Sequence, residues 1–162
     1  MTEQRILAVA TASGRIGIVF MVGDALVDWG ISNKGGEAPA ETDSVVQSWI
    51  DRLSPNVVVT ERFLVEGPSH KGEKSRFLSL AVAATAKENG LLTVQIARPR
   101  LYANKYEEAE HLAEKFPDIA GWLPERRRVW DNEPRNTVLF EALSLAEELR
   151  RGGSIALAAA LG

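Results

Sequence analysis

Apolar residues follow one another in short segments that are rich in β-branched side chains. Five such segments are predicted to be strands: residues 5–12, 15–22, 25–31, 56–61 and 91–96. The first three are separated only by Ser13-Gly14 and Gly23-Asp24, which are short turn signals typical of hairpins. The chain therefore begins with three antiparallel strands, and the other two strands come later.

Apolar residues recur at helical spacing in four other segments. The predicted helices run from a cap at Thr42 or Asp43 to just before Pro55, and over 73–89, 103–116 and 135–151. Residues 33–41 are predicted to be a loop because glycine, proline and alanine dominate them. The last helix is expected to end before Gly152-Gly153, with the apolar tail that follows packing back as a short helix.

The order of these elements predicts the fold class. Three strands followed by alternating helix and strand imply a mixed five-stranded sheet flanked by helices, because parallel connections place helices on the sheet faces. This α/β order matches the RNase H-like architecture. The 162 residues contain no repeat and no interdomain linker, so we expect a single domain over 1–162 that buries roughly 70% of its unfolded surface.

Composition excludes several classes of protein and site. Cysteine is absent, which excludes disulfides, thiolate zinc sites and cysteine nucleophiles. The sequence has neither a run of 18 apolar residues nor a signal-like N-terminus, so we expect a cytoplasmic protein with no membrane partner. A net charge of −3 argues against a protein that coats nucleic acid without specificity.

Glu61 is the strongest candidate for chemistry on pattern alone. It ends the apolar run VVVTE, and sites in open α/β sheets collect beyond the carboxyl ends of the strands. The plainer alternative is a solvent-exposed glutamate, or one paired with Arg62.

Three motifs of the sequence resemble the RuvC-type Holliday junction resolvases of the RNase H-like superfamily. In that family the first strand ends in a metal-binding Asp, and ILAVATAS has Ala10 at this position. The fourth strand ends in Glu, as VVVTER does at Glu61. The last helix carries two acids three residues apart, where VLFEALSLA has Val138 and Glu141. The run SGRIGIVF is also similar to the YqgF relatives of the same fold.

This resemblance implies a Mg²⁺- or Mn²⁺-dependent endonuclease that cleaves branched DNA by two-metal phosphodiester hydrolysis, acting as a homodimer in DNA recombination and repair. Glu61 and Glu141 would be metal ligands and catalytic residues, and Ala10 marks the missing central ligand. Asp131, in the loop before the last helix, is a candidate compensating ligand, and its alternative role is loop solvation or helix capping. With Ala10 in place we expect weak metal binding and slow or absent cleavage.

Basic residues are candidates for contact with DNA phosphates once this fold is assumed. Two groups follow the fourth and fifth strands at the same sheet edge: Lys71, Lys74 and Arg76, then Arg98, Arg100 and Lys105. The alternative is that these charges only solvate helix faces.

Three interpretations of the whole chain stay open at the level of sequence. The first is a resolvase-like endonuclease whose Asp was lost naturally or replaced to inactivate it. The second is a non-catalytic nucleic-acid-binding or assembly protein that retains the fold. The third is an actin-like scaffold protein, because ATAS also resembles the phosphate-binding hairpin of carbamoyl-transfer partner proteins.

Overall fold

All five predicted strands are present and form one sheet. The computed structural model describes residues 4–12, 14–62, 73–97, 104–124 and 136–161, with side chains in the last helix as far as Gly152. The strands are β1 Arg5–Ala12, β2 Arg15–Val22, β3 Ala25–Ser32, β4 Val57–Glu61 and β5 Leu92–Ile96. Their order across the sheet is β3-β2-β1-β4-β5.

The sheet is mixed, as predicted. The three strands joined by tight turns pair antiparallel, β1 with β2 and β2 with β3. β4 adds in parallel to β1, and β5 adds in parallel to β4. The carboxyl ends of β1, β4 and β5 therefore meet at one edge of the sheet, where α/β folds build their sites.

Four helices cover the sheet: α1 Pro39–Leu53, α2 Glu73–Glu88, α3 Lys105–Lys115 and α4 Thr137–Leu161. Short 3₁₀ turns cover Lys34–Gly36 and Pro117–Trp122. In the part of the chain that the structure describes, none of the helices combines the length and apolarity needed to cross a membrane.

Alternating side chains of the strands divide the core into two layers. Residues such as Leu7, Val9 and Val58 point to the side where α1 and α2 pack. Their neighbours Ala8 and Val59 point to the other side, where α3 and α4 pack. The result is a three-layer arrangement, and the RNase H-like prediction of a mixed five-stranded sheet flanked by helices is confirmed.

Two predicted helix boundaries are wrong. The first helix begins at Pro39, so that the last three residues of the predicted loop belong to the helix, and Thr42 is a buried helical residue instead of a cap. Proline suits a first helical position because its missing N–H would have no partner there. The last helix continues through Gly152-Gly153 to Leu161. Each glycine costs about 1 kcal/mol in a helix, and the alanines and leucines that follow offset that cost.

Candidate active site

Ala10 and Glu61 occupy neighbouring strands at the carboxyl edge of the sheet. The parallel register of β1 and β4 pairs Ala8 with Val59 and Val9 with Thr60. The next step along both strands sets Ala10 beside Glu61. Strand alternation places both on the face that α4 covers, since Ala8 and Val59 lie in that core layer.

α4 crosses this same point of the sheet. Gly17 of β2 is registered with Ala10, and a Cβ at Gly17 would lie 2.4 Å from the carbonyl oxygen of Val138. Only glycine permits this approach, because the backbone of α4 fills the space that a side chain would need. Val138 is therefore fixed over the strand pair that carries Ala10.

Glu141 lies one helical turn beyond Val138 on α4 and is only 6% exposed. An ordinary solvated glutamate would be far more accessible, and burial of a carboxylate is unfavourable unless other groups interact with it. Both Glu61 and Glu141 take part in polar interactions in this structure. Glu61 thus lies at the carboxyl end of β4, and Glu141 is buried in α4, the helix that packs over that part of the sheet.

The two other positions that the family motifs mark are apolar. Ala10 is fully buried and Val138 is 2% exposed, and neither offers an oxygen ligand. Within the described ranges, no group of three or more acidic or histidine side chains is placed to hold a metal ion. A pair of Mg²⁺ ions needs several hard oxygen ligands, so these residues do not fit a two-metal centre.

A cavity of about 420 Å³ opens next to Glu61 on the side of α2. A residue at a strand end borders both faces of the sheet, which is why Glu61 contributes to this cavity as well as to the α4 side. Arg62 and Arg76 give the cavity wall positive charge, and Phe77 and Leu80, each 51% exposed, give it apolar surface.

The predicted DNA-binding residues divide between the two faces of the sheet. Lys74 and Arg76 lie in the first turn of α2, as predicted. Lys105 begins α3, which packs on the opposite face with α4. Three further basic candidates and one acidic candidate fall outside the described residues: Lys71, Arg98, Arg100 and Asp131.

Sequence reasoning missed two features that shape the site. A glycine inside a strand signals close approach of another backbone, and Gly17 carried that signal. The second is a buried hydrogen bond in which the Ser144 hydroxyl donates to Glu108 at 3.3 Å, joining α3 to α4 one turn beyond Glu141. No sequence signal marks this pair, because Glu108 lies in a helix with several other glutamates.

Comparison with known proteins identifies relatives at the level of structure. No protein-family model and no curated protein matches this sequence. The structure of T. thermophilus RuvC in complex with a Holliday junction substrate has a TM-score of 0.59 and 16% identity, over 93% of this chain and 97% of the other. The structure of the yeast mitochondrial Holliday junction resolvase Ydc2 has a TM-score of 0.53 and 11% identity, over 93% of this chain and 80% of the other.

A third similar structure, the Holliday junction resolvase of fowlpox virus, has a TM-score of 0.53 and 11% identity, over 93% of this chain and all of the other. The likeness extends over most of both chains in each case, and at these identities it concerns the fold. The chain has the RNase H-like fold in the form shared by RuvC and other Holliday junction resolvases.

Proposed function

We propose that this protein binds branched DNA through a single resolvase-type domain, and that its phosphodiester-cleaving centre is incomplete. Glu61 and Glu141 would mark that centre. Ala10 would leave it without the ligand that bridges two metal ions, so that Mg²⁺ or Mn²⁺ binds weakly and cleavage is slow or absent.

One observation supports this proposal above the others. Glu61 ends β4 beside Ala10, Glu141 lies one turn from Val138 on the helix that packs over the same edge, and both Ala10 and Val138 are buried and apolar. A buried carboxylate on the helix over that edge supports a role for Glu141 in the centre, because burying a carboxylate is unfavourable unless other groups interact with it.

The direct experiment compares the chain as it stands with Ala10→Asp on a four-way junction and on a linear duplex, with Mg²⁺ or Mn²⁺. We expect junction binding by both forms, and faster cleavage only in the variant. Absence of junction binding in both forms would refute the proposal.

A second candidate function is a working structure-selective endonuclease. The specific observation in its favour is that Glu61 ends β4 at the carboxyl edge and that Glu141 is buried in α4 over that part of the sheet, to which Asp131 would add a third oxygen ligand. Rapid junction cleavage by the unaltered chain, abolished by Glu61→Gln and reduced by Asp131→Asn, would establish this alternative.

We also propose that the protein acts as a homodimer, the state implied by its resemblance to junction resolvases. The exposed pair Phe77 and Leu80, three residues apart on α2, supports this because large apolar side chains on one helix face often mark a contact surface. Light scattering should give twice the chain mass, and Phe77→Glu with Leu80→Glu should reduce it to the monomer value.

A further inference from the structure

Three basic residues belong to segments that adjoin the turn between β1 and β2. Arg15 directly follows Gly14 in this turn. The Nζ atom of Lys74 lies 4.0 Å from the position of a Cβ on Gly14. The Lys34–Gly36 turn packs on the same point, since a Cβ on Gly36 would lie 2.2 Å from the Gly14 carbonyl oxygen. We name Arg15, Lys34 and Lys74 the turn cluster.

The positive charges of the turn cluster are barely neutralised. Lys34 has an ion pair with Glu41 at 3.9 Å, but its side chain is 75% exposed and such a surface pair contributes little. In the ranges that the structure describes, neither Arg15 nor Lys74 forms an ion pair with an acidic side chain. Because these positive charges are barely neutralised by acidic side chains, the cluster attracts an anion.

The backbone that carries the turn cluster is held in place by buried hydroxyl groups. Thr42 Oγ1 donates to the Gly35 carbonyl oxygen at 2.5 Å, which fixes the turn beginning at Lys34. Thr11 Oγ1 donates to the Ser75 carbonyl oxygen at 2.9 Å, which fixes the first turn of α2 next to Lys74. A site whose backbone is already ordered loses less entropy when it binds a ligand.

The turn cluster also lies next to the candidate active site. Arg15 pairs with Ala12 and Gly17 pairs with Ala10, so Arg15 stands one side-chain step further along the same face. That step is about 7 Å along a strand. A polyanion that lay at the Glu61 edge of the sheet and extended across β1 toward β2 would therefore pass over the cluster.

We propose that the turn cluster binds backbone phosphates of the DNA strand that passes the candidate active site. This inference rests on the proposed function and extends it, because Arg15 and Lys34 add to the basic residues predicted from sequence. Lysine and arginine bind phosphates without regard to base sequence, so the cluster positions DNA and does not read it.

The test compares two lysines of the same helix. Lys74→Gln removes a charge from the turn cluster, and Lys87→Gln removes the same charge from the exposed far end of α2. Affinity for a labelled four-way junction is measured over a range of salt concentrations in EDTA. We expect Lys74→Gln to weaken binding about fivefold to tenfold at 0.1 M salt and to reduce the salt slope by about 1, with Lys87→Gln unchanged.

The variant with Arg15→Gln, Lys34→Gln and Lys74→Gln completes the experiment, with circular dichroism to verify folding. We expect its salt slope to fall by about 3. Junction binding that is unaltered in the triple variant, or equally weakened by Lys87→Gln, would overturn the turn cluster and leave the proposed function intact. If the unaltered chain binds no junction, the proposed function itself fails and the cluster proposal with it.

Discussion

Ala10 is the residue that leaves the candidate active site without a central carboxylate. A methyl group lies fully buried where the resemblance to junction resolvases implies an acid, in a strand pair whose Gly17 packs against the α4 backbone. A carboxylate placed there would be desolvated and close to another negative charge. Such a group is unfavourable unless a cation neutralises it.

Replacing Ala10 with Asp should therefore make stability depend on divalent metal. Without metal, we expect Ala10→Asp to lower the free energy of unfolding by about 2 kcal/mol. Millimolar Mn²⁺ should then raise the melting temperature of the variant, and leave that of the unaltered chain unchanged. Ala83→Asp, at a buried position in α2, serves as the control that loses stability without a Mn²⁺ response.

Glu147 is a buried glutamate that forms ion pairs with Lys115 and Arg150. It is 5% exposed and accepts hydrogen bonds from Lys115 of α3 and from Arg150, the latter at 2.7 Å. Burial alone raises the pKa of Glu147, but the hydrogen bonds and charges of Arg150 and Lys115 outweigh it, so the pKa is lowered overall. A lowered pKa means that the ionised form stabilises the fold.

The contribution of Glu147 should be fully present above the pKa of an unfolded glutamate, about 4.3, and should be lost as the pH falls through the lower folded value. At neutral pH, Glu147→Gln should lower the free energy of unfolding by about 2 kcal/mol and reduce its dependence on acid pH. The neighbouring Glu148→Gln, which breaks the exposed pair with Arg151, should change it by less than about 0.5 kcal/mol. Urea denaturation at several pH values measures the free energy of unfolding of both variants. Equal losses in the two would contradict the proposed stabilising role of the Glu147 ion pair.

At the scale of elements, the contact between β2 and α4 fixes the geometry of the site. Gly17→Ala would force a Cβ against the Val138 carbonyl group, so the helix must shift. We expect a loss of about 3 kcal/mol in the free energy of unfolding. Gly121→Ala, where no atom lies within 4 Å of the added Cβ, should stay within about 0.5 kcal/mol. Thermal denaturation of both variants measures these losses. If Gly17→Ala were as stable as the unaltered chain, close packing of α4 on Gly17 would not be required.

Some of these elements could be predicted from the sequence and others could not. All five strands were predictable because β-branched runs bounded by tight turns have few alternatives. Glu61 was a candidate from its position at a strand end, whereas Glu141 was a candidate only through family motifs, and the structure adds that Glu141 is buried. The end of α4 was not predictable, because a glycine pair stops a helix only when the residues beyond it do not favour helix. Lys74 was predicted as a DNA-binding residue, but Arg15 and Lys34 were not, because they are far from it in sequence and their segments adjoin only through packing on Gly14.

At the scale of the whole molecule, charge is distributed unevenly. The chain carries a net charge of −3, yet Arg15, Lys34 and Lys74 gather around one turn at the carboxyl edge of the sheet. A basic group at this edge should favour an orientation in which the edge faces DNA, because an overall negative charge is repelled by the DNA phosphates. Binding should accordingly weaken steeply as salt is added.

The most direct measurement is the affinity of the unaltered chain for a four-way junction and for a linear duplex of equal length, in EDTA at 0.1 M salt. Binding through the resolvase fold without metal predicts at least about tenfold tighter binding to the junction. Equal affinity for the two DNAs, or no binding to either, would contradict the proposal that this protein recognises branched DNA.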